Sequence, residues 1–153
     1  MMFKTHLAFS FLCSIILWPF LSGSNIPKWA FVLVFILSSV IPDIDCNSSV
    51  LGKRVKVIGW IFAHRGIFHS IFPAILISTP LLIFFGAGYA LASFTGYLSH
   101  LVLDMLNHQG VGLFFPLSRW RIKGFMKSGG LAERLLFVLF FVGIFIMMFL
   151  SKS

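Results

Sequence analysis

The sequence predicts an all-α fold, namely a polytopic membrane helical bundle with four to five transmembrane helices. Three observations predict it: 59% of the 153 residues are hydrophobic, only 10% are charged, and the mean hydropathy is +1.01. These values lie far outside the range of soluble globular domains. Because a spanning helix needs about 20 residues, the chain has room for about four or five of them. We therefore expect one membrane-embedded domain over residues 1–153.

Five apolar stretches are candidate transmembrane helices. The second is short, so we expect its ends to reach into the membrane interface. Gly86 and Gly88 are the only helix-breaking residues between the third and fourth stretches. With Pro80 they predict a tight turn or a pair of kinked helices. Merging these two stretches would reduce the bundle to four spans. In chain order the stretches cover residues 7–21, 29–41, 67–85, 87–106 and 135–150.

The first stretch has a second interpretation, a cleaved signal peptide. Such a peptide has a charged start, an apolar centre and a cleavage site with small residues. The chain has Lys4, then a short apolar run, then the small residues 22–24. Cleavage would remove His6 and deprive the other helices of a packing partner. We therefore expect the first stretch to remain as a span.

Basic residues are distributed unequally between the two sides of the predicted bundle. With the N-terminus inside, ten of the twelve Lys and Arg residues fall on the inner side, and only Lys28 and Lys152 fall on the outer side. Short cytoplasmic loops hold an excess of basic residues, so a multi-pass protein with a cytoplasmic N-terminus is predicted. Topology and anionic headgroups then explain the net charge of +8. The expected partner is the lipid bilayer, and no nucleic acid is expected.

All five histidines and all four carboxylates lie at the edges of the apolar stretches. In the predicted topology these are the cytoplasmic edges. Ionisable groups are costly to keep at a membrane boundary, so we interpret their convergence as one functional site. The residues are His6, Asp43, Asp45, His64, His69, His100, Asp104, His108 and Glu133.

The fourth stretch carries small residues at intervals of four, and the same face ends in two ionisable groups. Gly88, Ala92 and Gly96 would let a neighbouring helix approach closely, and His100 and Asp104 continue their row. We expect this face to point into the bundle. A histidine oriented by its own helix's carboxylate is the structural alternative to a metal or catalytic role. The histidines of the preceding loop favour the metal or catalytic role.

Two loop motifs carry further candidate groups. Asp43 and Asp45 follow a proline, where a turn would bring both carboxylates to one ion, and a solvated turn is the alternative. The segment 64–70 has two histidines separated by a glycine, an arginine suited to a phosphate, and Ser70, which we expect to cap the third helix. The alternative for this segment is an interfacial histidine pair.

The donor set also predicts a type of metal. Neutral imidazoles and carboxylates without thiolates suit a divalent ion, with zinc favoured and manganese or iron as alternatives. Such an ion lowers the pKa of its water and polarises an ester or phosphoryl oxygen. Proton transfer to the leaving group would fall to His64 or His108.

The motifs at residues 42–45, 64–70, 100–104 and 110–117 together resemble bacterial inner-membrane metal-dependent hydrolases of the YdjM type, over nearly the whole chain. The pattern of that family is distantly similar to zinc-dependent phospholipase C and P1-type nucleases, which implies phosphoester hydrolysis in the bacterial inner membrane. Phe68 and Asn107 stand where the family often has Thr. Matched by residue, the resemblance implies the metal ligands His6, Asp43, Asp45, His64, His69, His100 and Asp104, and a catalytic set of His64, Arg65 and His69.

From these observations we expect a membrane-bound metal-dependent hydrolase with a cytoplasm-facing site. Its substrate would be a phosphoester or lipid-like molecule, and Arg65 with the basic loops would attract an anionic phospholipid. The alternative is a non-enzymatic membrane protein, either a metal-ion carrier or a stress-induced interaction or structural protein. A carrier would hold its ligands near the bilayer midplane between broken helices, whereas these ligands cluster towards one surface.

Overall fold

Five α-helices form the bundle in the computed structural model, which describes residues 1–21, 26–45 and 66–150, without the side chains of residues 44 and 45. Two 3-10 turns, Ile41–Asp45 and Ile67–His69, flank the second and third helices. No strand occurs among the described residues, so the all-α prediction is confirmed. The helices are α1 Phe3–Leu21, α2 Lys28–Val40, α3 Ile71–Phe85, α4 Ala87–Met105 and α5 Leu131–Leu150.

Helix boundaries differ from the sequence prediction mainly at the N-termini. The first and fifth helices each begin four residues earlier than predicted, whereas α3 begins four residues later. The later start has a local cause, because Ser70 has an extended backbone after the 3-10 turn. Ser70 occupies the N-cap position, but its hydroxyl donates to the Ile67 carbonyl at 2.6 Å and not to a helix amide. The predicted side-chain cap is therefore wrong.

A single glycine separates α3 from α4. Gly86 has φ +94°, a conformation that residues with a Cβ rarely adopt, and it ends one helix and begins the next. The two helices pack against each other on either side of it. The predicted tight turn is confirmed, and the merged four-helix alternative is wrong.

The small-residue face of α4 lies at the centre of the bundle, as predicted. α4 contacts α1, α2 and α3, and Gly88, Ala92 and Gly96 are buried. A Cβ built on Gly96 would lie 2.2 Å from the carbonyl oxygen of Phe35 in α2, so the two backbones are in direct contact there. Ser93 of α4 also accepts a hydrogen bond of 3.0 Å from the hydroxyl of Ser38 in α2.

Two helices, α1 and α5, are long and apolar enough to cross a membrane by length and composition. α2 and α3 have 13 and 15 residues, which is shorter than a full span. The outward face of α5 exposes a row of large apolar side chains that water would solvate poorly: Leu135, Val138, Leu139, Phe141, Phe145, Ile146 and Phe149. The described helices thus fit a membrane bundle, and the larger count of four to five spans stays a prediction.

Residues 107–126, here called the return loop, fold back onto the end of α4. The amide of Val111 donates to the Ile122 carbonyl and the amide of Ile122 donates to the Val111 carbonyl, both at 2.9 Å. The amide of Met126 then donates to the carbonyl of Leu106 at 2.9 Å. These bonds fasten both ends of the loop beside the last turn of α4.

Gly96→Ala tests the contact between α2 and α4. The added Cβ would force the α2 backbone to move, and overpacking of this kind costs about 1–3 kcal/mol or more. We expect a lower midpoint of thermal unfolding in detergent, followed by circular dichroism. Gly143→Ala in α5 is the matched control, because its Cβ would meet only side-chain atoms of Leu12, at 3.2 Å or more. Equal melting of the two variants would contradict this packing.

Candidate functional site

Three histidines and two aspartates from four parts of the fold meet in one group, here called the His/Asp cluster. His6 comes from α1, Asp43 from the 3-10 turn after α2, and His69 from the 3-10 turn before α3. His100 and Asp104 stand one turn apart on α4. The three histidines and Asp104 are each no more than 2% exposed. The fold therefore encloses ionisable groups that would otherwise be hydrated.

Asp104 is the centre of the cluster. Its Oδ1 lies 3.4 Å from His6 Nε2, and its Oδ2 lies 3.3 Å from His69 Nε2 and 3.6 Å from His100 Nε2. The backbone amino nitrogen of Met1 donates to Oδ1 at 3.1 Å. A carboxylate so deeply buried requires positive charge or hydrogen-bond donors around it. All three histidines supply nitrogen atoms at that centre.

His100 is fixed in one tautomer by the neighbouring helix. Its Nδ1 lies 2.7 Å from the carbonyl oxygen of Ser39, and a carbonyl only accepts, so Nδ1 carries the proton. In the neutral ring the lone pair of Nε2 then points towards oxygens of Asp104 and Asp43, at 3.6 and 3.7 Å. Nε2 has no hydrogen-bond partner among the described residues. In the neutral form of His100, this nitrogen can therefore bind a metal ion together with the two carboxylates.

His6 lies flat against His100. The ring centroids are 3.9 Å apart and the planes differ by 10°. Neither ring nitrogen of His6 has a hydrogen-bond partner among the described residues. A neutral imidazole with a free lone pair is the form that binds a metal ion.

The spacing of the donor atoms fits a small divalent ion. Among the described residues, two sets of three have donor atoms within 4.8 Å of one another: His6, His100 and Asp104, and Asp43, His69 and His100. Bonds of about 2.0–2.1 Å in a tetrahedral site place the ligand atoms roughly 3.3–3.4 Å apart. Within the two sets, His6 and Asp104 lie 3.4 Å apart, His100 and Asp104 3.6 Å, and His100 and Asp43 3.7 Å. Three protein ligands leave a fourth position for water, as in catalytic zinc sites.

Five of the residues predicted from the sequence to form a site therefore come together. The backbone of Asp45 continues the turn of Asp43, but its side chain lies outside the described residues. His64 and Arg65 lie outside the described residues altogether. The catalytic roles of His64 and Arg65, and the metal-ligand role of His64, thus stay predictions. His69 lies in the cluster.

Two other residues do not join the cluster. His108 is exposed, and its Nδ1 donates to the side-chain oxygen of Asn107 at 3.1 Å. Glu133 is fully buried, but its oxygens accept hydrogen bonds from the backbone amides of Met2 and Gly129. Its carboxylate thus closes the first turn of α5 and ties it to the start of α1. The interpretation of all nine ionisable groups as one site is wrong for these two.

Sequence reasoning missed a residue that positions the cluster. Tyr97, three residues before His100, is fully buried, and its hydroxyl donates to the carbonyl of Phe68, next to His69. This bond connects α4 to the turn that carries His69. The signal was available, because a tyrosine on a buried helix face needs a partner for its hydroxyl group.

Comparison with known proteins places the chain in a family. The model of the YdjM inner membrane protein family matches residues 1–152, so the chain belongs to that family and the predicted resemblance is confirmed. The inner membrane protein YdjM of Escherichia coli (strain K12) is 33% identical over 136 residues, covering 77% of this chain and 66% of that protein. The protein YvsG of Bacillus subtilis (strain 168) is 30% identical over 110 residues, covering 65% of this chain and 66% of that protein.

The match with the Shigella flexneri protein YdjM has the same identity and extent as that with the Escherichia coli protein. The chain thus spans about two thirds of the length of these relatives, 66% in each case. No solved structure matches the chain. The more distant similarity to phospholipase C and P1-type nucleases therefore stays a prediction, while membership in an inner-membrane family agrees with the apolar helices.

Tyr97→Phe tests the positioning role of the buried hydroxyl. Loss of the donor leaves the Phe68 carbonyl without this bond inside the protein, which costs about 1–3 kcal/mol. We expect faster amide exchange at residues 67–71, with unchanged exchange in α5, measured by hydrogen exchange and mass spectrometry. Tyr89→Phe is the control, because the half-buried Tyr89 packs its ring against Phe85 away from the cluster. Unchanged exchange in both variants would refute the role.

Proposed function

We propose that this YdjM-family protein is a membrane-bound metal-dependent hydrolase whose His/Asp cluster holds a divalent cation. The observation that carries the proposal is the arrangement around His100 Nε2. This nitrogen lies 3.6–3.7 Å from oxygens of Asp43 and Asp104, and it has no hydrogen-bond partner among the described residues. Both ring nitrogens of the stacked His6 also lack a hydrogen-bond partner there. Buried polar atoms without partners are unfavourable, and a cation bound by these imidazoles and the neighbouring carboxylates would provide the missing partner.

The donor chemistry supports zinc, with manganese or iron as alternatives. His6, His69 and His100 offer imidazole nitrogens, and Asp43 and Asp104 offer carboxylate oxygens. This combination suits borderline divalent ions better than calcium or magnesium, which prefer oxygen donors alone. When bound there, such an ion supplies an activated water and polarises an ester or phosphoryl oxygen.

The chain's own residues would organise that chemistry. Ser39 holds the tautomer of His100 through its carbonyl, and Tyr97 holds the turn of His69. The two oxygens of Asp104 face different histidines, so this carboxylate orients the set. Of the two candidates for proton transfer we favour His64, because His108 is exposed and bonds Asn107 outside the cluster. From the family resemblance we assign Arg65 to contact with an anionic substrate. The proposed substrate is a phosphoester or lipid-like molecule, with an anionic phospholipid favoured by the basic loops.

We place the site at the cytoplasmic side of a multi-pass bundle with four to five spans and a cytoplasmic N-terminus. The contact between His100 and Asp43 supports one common side, because it joins the end of α2 to the end of α4. The excess of basic residues in the connections at that end supports the cytoplasm.

His100→Ala and Asp104→Ala test metal binding. Loss of a ligand should lower metal retention at least about tenfold, since even loss of a supporting group costs 10–100-fold in affinity. The measurement is metal content of the purified protein by plasma mass spectrometry, with circular dichroism to confirm folding. His108→Ala is the matched control, because this exposed histidine lies outside the cluster. Full metal content in both cluster variants would refute the proposed centre.

The same preparations separate the two functional classes. The metal-loaded protein should hydrolyse a member of a panel of phosphodiesters and phospholipids, and Asp104→Ala should not. Metal binding without turnover on the whole panel would favour the non-enzymatic alternative, for which metal flux into vesicles is the next measurement.

Single cysteines test the orientation. In a background with Cys13→Ser and Cys46→Ser, a membrane-impermeant maleimide should label Lys127→Cys only from the cytoplasmic side and Lys28→Cys only from the other side. Both lysines are exposed, and they lie beside the end of α4 and at the start of α2, respectively. Labelling of both from the same side would contradict the topology.

A further inference from the structure

An open apolar groove lies between the end of the return loop and the first turns of α5. It has a volume of about 490 Å³, within the range of about 300–1,000 Å³ found for ligand sites. Phe125 and Leu135 are 83% and 62% exposed along it. We call it the basic groove, for the charges described next. Its lining includes Leu106, Phe125, Met126, Ala132, Leu135 and Leu139.

Cationic side chains flank this groove along the chain. Lys127 follows Met126 and Lys123 stands two residues before Phe125, and both lysines are exposed. Glu133 is the sole carboxylate between residues 106 and 139, and it is buried and bonded to backbone amides. No exposed acidic side chain of this segment therefore offsets the positive charge.

A second apolar groove lacks neighbouring basic residues. It lies between α3 and α4, has a volume of about 360 Å³, and is lined by residues that include Leu82, Ala87 and Phe94. Residues 71–94 contain no Lys or Arg. Both grooves can contact acyl chains, but only the basic groove has cations at the level where an apolar helix begins.

We propose that the basic groove binds one acyl chain of an anionic phospholipid, whose phosphate lies between Lys123 and Lys127. The groove begins at the first turn of α5, where the apolar helix enters the membrane and where headgroups lie. Its lining contains no residue of the His/Asp cluster. The lipid site therefore does not depend on the proposed hydrolase activity.

Quenching by brominated lipids tests the site directly. In a background with Trp18, Trp29, Trp60 and Trp120 replaced by Phe, Phe125→Trp places one reporter in the basic groove. Phe94→Trp places the matched reporter in the second groove, between α3 and α4. Each protein is reconstituted in phosphatidylcholine with increasing brominated phosphatidylglycerol or brominated phosphatidylcholine. At Phe125→Trp we expect half-quenching at a mole fraction roughly fivefold lower or more for the anionic lipid, and no such preference at Phe94→Trp.

Substitutions in the same reporter protein identify the cause of the preference. Lys123→Gln with Lys127→Gln should abolish it, whereas Lys28→Gln at the start of α2 should not. Ala132→Leu, which fills the groove without a change of charge, should reduce quenching by both lipids. Asp104→Asn should retain the preference, which separates this site from the metal centre. Equal quenching by the two lipids at Phe125→Trp, or preference retained in the double lysine variant, would overturn the proposal.

Discussion

Burial of the Asp104 carboxylate is the constraint on which the rest of the structure depends. An ionised carboxylate inside an apolar bundle is strongly unfavourable unless charges or hydrogen-bond donors surround it. Here the amino group of Met1 donates to it, and ring nitrogens of His6, His69 and His100 lie 3.3–3.6 Å from its oxygens. These groups belong to the start of the chain, to α1, to the turn before α3 and to α4, so these parts must be in place before the carboxylate is surrounded. The environment of one side chain thus couples the assembly of these elements.

The small residues of α4 make that assembly possible. Gly96 lets the backbone of α2 approach until Phe35 contacts it, and four residues further along each helix the Ser39 carbonyl reaches His100 Nδ1. A bulkier residue at position 96 would hold the helices apart and leave that imidazole without its acceptor. Helix packing and the position of His100 therefore both depend on the same face of α4. The interval of four residues places Gly96, His100 and Asp104 on that face.

Several features followed from the sequence because they depend on local pattern. Composition predicted an all-α membrane bundle, and apolar runs located the five helices to within four residues at their ends. Gly86 was recognised as the break because its missing Cβ makes a turn inexpensive. Two helices satisfy the length and apolarity of a span, α1 and α5, so the predicted number of four to five spans exceeds what these lengths support alone.

The sequence by itself determined which groups are too costly to bury alone, and so it identified His6, Asp43, His69, His100 and Asp104 as candidates for one site. Only the tertiary structure decided which atoms meet. The tautomer of His100 depends on a carbonyl 61 residues away, and Tyr97 bonds a carbonyl 29 residues away. Glu133 and His108 have partners outside the cluster, although they also lie at the ends of apolar stretches. Residue type determines the cost of burial, but distant backbone groups decide how that cost is met.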